Sequence, residues 1–329
     1  MNLIVEREKR LEELERRMAD LRARAAQQGG EPSEEIRTLF AALEQNYSAL
    51  QRDLFGRLTP WERVNMARHP KRPIAGDYLA ELDRFDELHG DRAFRDDPAL
   101  VGGFAKLRGR RVMVLAQQKG RDTKENIHRN FGMVSPEGYR KARRLIDLAG
   151  RFGLPIVSLV DTSGADPGIG SEERAQSEAI ASCLLAMSRA PVPTVAAILG
   201  EGGSGGALAI ALADYVIMPE NSVYSVASPE GCAAILWGDA GRAEEAAERL
   251  KLTSEDVKGF GIVDEIVPEP LGGAHREAGP FVTRVIGAID AALTRLSGLS
   301  RERLLDERRA KYRKIGAWTS TSPIASVAP

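Results

Sequence analysis

Thiols are nearly absent: Cys183 and Cys232 are the only cysteines in 329 residues. Two thiols make neither a disulfide framework nor a four-thiolate metal site, so a reducing compartment, the cytoplasm, is expected. Charge of one sign is lacking too. Lys and Arg number 46 against 47 Asp and Glu, for a net charge of −1, which gives no global attraction to nucleic acid or an anionic membrane. The opening MNLIVEREKR has no long apolar core of the signal-peptide kind. No uninterrupted apolar run approaches the ~18 residues of a membrane span. What is left is a soluble α/β protein, long enough for one large domain with an appendage.

The appendage comes first. Leu11, Leu14, Met18 and Leu21 recur at helical steps, and Ile36, Leu39, Phe40, Leu43, Tyr47 and Leu50 form a second stripe. Between them QQGGEPS (27–33) breaks the pattern, with Ser33 as an N-cap before Glu34 and Glu35. The spacing predicts an antiparallel helical hairpin, able to clasp a partner or simply to pack on the body. Beyond it, β-rich runs at 101–118 (a hairpin turning at Arg108-Gly109), 155–161, 193–200, 214–220 and 261–268 alternate with helical stretches, notably 137–152 and 171–189. That alternation predicts a mostly parallel sheet. Residues 281–315 read as helix. The runs from Pro155 and Pro193 start 38 residues apart, and each reads strand, glycine-rich turn, helix, as in a superhelical stack.

The second of these turns, ILGEGGSGGALAIALAD (198–214), fits three patterns. Gly202-x-Ser204-x-Gly206 matches a nucleophile elbow, with Asp264 and His275 in the right chain order. Yet glycine on every side relaxes the strained turn that such an elbow needs. Gly200-x-Gly202-x-x-Gly205 matches a dinucleotide fingerprint, with Glu220 at the usual remove. It lies far into the chain, however, before a short helical run. Read as backbone alone, the glycines let a ligand oxygen approach main-chain N–H groups at the start of the helix at 206–213. A fourth reading gives the glycines only tight helix–strand packing.

Residue blocks beyond this loop carry a resemblance. PWERVNMARHPKRP, FDELHGDRAFRDDPALVGGFAKLRGRRVMV, QKGRDTKENIHRNFGM, PEGYRKARRLIDLAGRFGLPIV, EGGSGGALAIALAD, YSVASPEGCAAILW and DEIVPEPLGGAHR, spanning 58–275, resemble in order the alpha-subunit family of bacterial acetyl-coenzyme A carboxylase carboxyltransferases. The resemblance implies a crotonase-like α/β spiral of strand-strand-helix units. On that basis 1–55 is the helical arm, 56–300 the carboxyltransferase domain, and 301–329 a C-terminal helix and frayed tail. It implies transfer of a carboxyl group from carboxybiotin, on the biotin carboxyl carrier protein, to acetyl-CoA, giving malonyl-CoA. Implied partners are a beta subunit in an α2β2 assembly and biotin carboxylase in the wider complex, with no metal in this subunit. Another acyl-CoA as substrate, a decarboxylase, or a non-catalytic scaffold for beta are the alternatives.

Carried onto this sequence, the resemblance assigns an oxyanion hole for the biotin ureido oxygen to the amides of Gly206 and Ala207, with Gly205 giving access. Gly202 and Gly203 shape the turn, and Gly164 and Ala165 lie in the loop forming the other wall of the biotin pocket. Ser204 becomes a small linker. Three positions depart from the family pattern: Ser163 stands for proline, Asp166 for an aromatic residue and Ala175 for glycine. These put that loop's rigidity in question, and Asp166 is expected to face solvent. Lys119, Arg121, Lys124, His128 and Arg129 read either as a cationic rim for CoA or the carrier, or as a solvated face. SPEGCAAILW (228–237) is expected at the interface with beta, with Trp61 and Trp237 as core or interface anchors. Cys232 has no basic neighbour in sequence to make it a nucleophile.

Overall fold

The computed structural model describes residues 3–27 and 33–316. Two helices, Leu3–Gln27 and Glu34–Phe55, pack on each other as the arm. Ser33 caps the second, its Oγ accepting from the Ile36 N–H at 3.3 Å. Leu11 is buried at the root, with Ile4, Phe55 and Met66. Leu39, although on the predicted stripe, is 49% exposed.

Eight strands form one sheet: β1 (Arg84–Glu87), β2 (Leu100–Leu107), β3 (Arg110–Gln117), β4 (Ile156–Thr162), β5 (Thr194–Gly203), β6 (Tyr215–Pro219), β7 (Val223–Ser225) and β8 (Glu265–Val267). Their order is β1-β2-β3-β4-β5-β6-β8, with β7 also on β5. The first three are antiparallel and the rest parallel. The β2–β3 hairpin turns at Arg108 and Gly109, both at positive φ. That is the backbone of a tight two-residue connection.

Strand alternation sends side chains to two cores. Met113, Leu115, Ile156, Val160, Ala196 and Ile198 face helices Pro136–Phe152, Gln176–Arg189 and Ser204–Ala211. Val112, Val114, Val157, Leu159, Val195 and Ala197 face helix Ala278–Leu296. Burial on both faces is why β4 and β5 read as continuous apolar runs.

The 281–315 stretch is two helices, Ala278–Leu296 and Arg301–Arg313, because Ser300 caps a second start through the Arg303 N–H. Arg308 of the second helix is 2% exposed and bound to Asp214 and to the carbonyls of Met187, Ala190 and Val192. Among the described residues no helix is long and apolar enough to cross a membrane.

Candidate active site

Parallel sheets place ligands outside the carboxyl ends of their strands. There the loops after β4 and β5 meet, with Thr162 paired to Gly202 across a register shift at Asp161. The contact has no room for side chains. A Cβ on Gly206 would lie 2.6 Å from the Gly164 carbonyl carbon and nearer still to the Ala165 nitrogen. On Gly203 it would strike the Ser163 carbonyl, and on Gly202 it would sit 2.7 Å from the Tyr224 ring. Gly205 differs: its nearest neighbour would be an Ile180 methyl at 3.7 Å.

The glycine loop is held from behind. The Gly206 carbonyl accepts from Gln117 Nε2 at 2.7 Å and from the Tyr139 hydroxyl at 3.2 Å. Burial pushes the Tyr139 hydroxyl well above its ordinary pKa, so it stays a donor. Gly206 and Ala207 are buried, whereas Ser204 is exposed and Gly205 half-buried. Ser204 and Gly205 line an apolar cavity of about 300 Å³ with Leu208, Tyr224, Val226 and Tyr312. Gly164 and Ala165 are half-buried and lie against Gly206 instead of lining that cavity.

Two rival readings lose their partners. Among the described residues no histidine hydrogen-bonds to Ser204. His275, the base that a triad would need, is half-buried, with Nε2 2.6 Å from Glu8 Oε1. Asp264 accepts from Val216 N and Lys311 Nζ. The dinucleotide reading finds a helix of only eight residues, Ser204–Ala211, which starts within the glycine run and two residues before the expected 206. Its acidic residue, Glu220, accepts from the Glu269 N–H.

A family model for acetyl co-enzyme A carboxylase carboxyltransferase-like proteins matches residues 4–316. The chain belongs to that family. The acetyl-coenzyme A carboxylase carboxyl transferase subunit alpha of Thermus thermophilus is 52% identical over 315 residues, 95% of this chain and 98% of the relative. Its counterpart from Sorangium cellulosum is 51% identical over 312 residues, 94% and 97% of the two chains. Transcarboxylase 12S, solved as a hexamer with methylmalonyl-coenzyme A bound, superposes with a TM-score of 0.54 at 23% identity. The match covers 68% of this chain and 41% of that one. The fold is the crotonase-like carboxyltransferase fold.

Against the family pattern, the loop after β4 keeps its order by other means. Asp166 does not face solvent: half-buried, its carboxylate accepts from Ser171 Oγ at 2.5 Å and the Gly168 N–H at 3.2 Å. A short polar side chain can bond its own loop in this way, which an aromatic residue cannot. Thr162 Oγ1 bonds both the N–H and the carbonyl of Gly164, and Gln176 Nε2 donates to the carbonyls of Val134 and Asp166. Ala175 sits at φ 61° and ψ 61°, a left-handed conformation that glycine adopts without strain.

Three of the five cations in the stretch at 119–129 are paired within the chain. Lys119 is held between Asp161 and Glu201 at 2.8 and 2.9 Å. Arg121 pairs with Asp77, and Arg129 with Glu125 and the Pro98 carbonyl. Lys124 and His128 are exposed. In the 228–237 stretch, helix Pro229–Trp237 exposes Ile235 and Leu236, and Val226 just before it is also exposed. Trp237 is covered by the guanidinium of Arg242, 4.2 Å above its ring, and Trp61 packs on Val64 and Leu252. Cys232 is half-buried.

Sequence reading missed Gln117 and Tyr139, whose role shows only once their strand and helix are placed beside Gly206. It also missed the paired carboxylates of Asp161 and Glu201. Both lie near the end of a strand that runs into a glycine turn, and that repeated position was the available signal.

Proposed function

We propose that this chain is the alpha subunit of the carboxyltransferase component of acetyl-CoA carboxylase. It moves a carboxyl group from carboxybiotin on a carrier protein to acetyl-CoA, giving malonyl-CoA for fatty acid synthesis. The observation that supports this most is the close seating of Gly202–Ala207 beside Gly164–Ala165, with an apolar cavity at Gly205. Carboxybiotin supplies a carboxyl group held on nitrogen, and its ureido oxygen gains negative charge as that group departs. The main-chain N–H of Gly206 donates to that oxygen, reached through the gap that glycine leaves at 205; the N–H of Ala207, fourth residue of the helix that starts at Ser204, is taken by the Gly203 carbonyl. Burial of Gly206 keeps water away, which strengthens such a bond, and a donor of this kind is worth roughly 3–4 kcal/mol in a transition state. Gln117 and Tyr139 hold the loop by its Gly206 carbonyl and do not touch the reacting atoms.

Apolar side chains left open at Leu208, Val226, Ile235 and Leu236 offer the surface on which the beta subunit closes the site. Beta supplies most of the thioester-side donors, in an α2β2 assembly served by the biotin carboxyl carrier protein and biotin carboxylase.

The test is co-expression with the cognate beta subunit, then malonyl-CoA decarboxylation with free biotin. Biotin-dependent turnover that survives Ser204→Ala is expected. Turnover independent of biotin would overturn the carboxyltransferase reading, and an inactive but folded Ser204→Ala variant would restore the nucleophile.

A further inference from the structure

Five charged side chains alternate in sign beside the glycine loop. Asp161, one residue from the end of β4, meets Lys119 Nζ at 2.8 Å; Lys119 meets Glu201 at 2.9 Å. Glu201 accepts from Arg68 Nε at 2.6 Å, and Arg68 continues to Glu230. The guanidinium is shared between three oxygens: its two terminal nitrogens lie 2.6 and 3.3 Å from the two Glu230 oxygens. The backbone joins the same network, with the Glu201 N–H donating to Asp161 Oδ1 at 3.0 Å.

Position gives the chain its meaning. Glu201 is the residue before Gly202, at the root of the loop. Burial alone would raise its pKa, but Lys119 and Arg68 hold it at about 2, so it is ionised at neutral pH. Arg68 is fixed at the end of helix Pro60–Ala67, its N–H bonded to the Val64 carbonyl. Glu230 is the second residue of the helix that carries exposed Ile235 and Leu236. We propose that Arg68 is a positioning residue that fixes the Gly202–Ala207 loop, through Glu201, to the helix Pro229–Trp237. This rests on the functional reading above and extends it: the helix offered to a partner and the loop offered to the carboxyl donor are braced by one guanidinium. Lysine is a poor replacement, because an ammonium cannot reproduce the planar pair of bonds to Glu230 while also reaching Glu201 as Nε does.

Arg68→Lys and the half-exposed Glu230→Gln test this in the co-purified complex. A group that only preorganises the loop moves kcat and leaves KM alone, so both variants are expected to lose about tenfold in kcat with KM for malonyl-CoA and biotin within about twofold. Arg68→Lys combined with Glu230→Gln should be no worse than Arg68→Lys, since the two act through one link. Independently of turnover, Arg68→Lys should speed amide hydrogen exchange at 203–207 by about tenfold while that of β4 is unchanged. Unchanged exchange together with unchanged kcat overturns the positioning role, as does a kcat loss that tracks lost folding or lost partner. A wild-type complex with no biotin-dependent turnover refutes the functional reading, and the exchange result still decides the role of Arg68.

Discussion

Gly206→Ala separates the amide reading from one in which the glycines are mere spacers. A methyl at 206 would stand 2.6 Å from the Gly164 carbonyl carbon, with the Ala165 nitrogen nearer, and both are backbone atoms that cannot rotate away. Ordinary contact begins near 3.4 Å, so the two loops must part by close to 1 Å. Such a displacement costs about 1–3 kcal/mol of stability by overpacking. Its effect on rate is larger, because a shift of about 1 Å in a positioning group is worth about a hundredfold, or roughly 2.7 kcal/mol of barrier. The assay is steady-state malonyl-CoA decarboxylation with free biotin, by the variant paired with beta, beside a thermal melt of the same preparation. Gly205→Ala meets no clash, its methyl lying 3.7 Å from Ile180, so a loss of turnover there with an unchanged melt reports blocked access and not parted loops. A folded Gly206→Ala complex whose kcat stays within about threefold of wild type would refute the reasoning, because preorganised donors cannot tolerate that shift.

Three further outcomes are expected. Ala175→Gly removes a Cβ from a left-handed residue and should raise unfolding free energy by about 1 kcal/mol, read in urea, with turnover unchanged. Glu8 carries the contact between arm and body, its two oxygens bonded to the Nε2 atoms of His69 and His275, whose rings stack 3.8 Å apart. Glu8→Ala should therefore cost roughly 3 kcal/mol and let trypsin release the arm, whereas undiminished resistance would show the clasp to be passive. Glu201, at about 2 in the fold against an ordinary 4.5, contributes stability that is present above pH 4.5 and lost as pH falls toward 2. Unfolding curves at several pH values should show that part of the acid slope missing in Glu201→Gln.

Much of the architecture is local and so was legible from residue order. Ser33 announces its helix, Arg108-Gly109 its hairpin, and β4 and β5 their burial on both faces. Short elements were not: β1 has four mostly exposed residues and β7 only three, too few for a pattern to declare itself. Pairing over long separations was hidden as well. Lys119 looks solvated until Glu201, 82 positions on, is folded against it. His275 looks free to serve Ser204 until Glu8, 267 positions back, claims it. The glycine-rich turn was visible as a site because its chemistry is backbone chemistry, written in missing side chains. The residues that hold it still belong to other strands and helices, which only the fold brings near.

Arg308 spends all five guanidinium donor bonds on one carboxylate and three carbonyls. It works as a plug arriving late in the chain to close an opening left by segments completed 94 to 121 residues earlier. Until it arrives, a newly made polypeptide exposes Asp214 and the seam between Met187 and Val192 unsealed. Any trimmed form that stops at residue 300 would carry that hole for good.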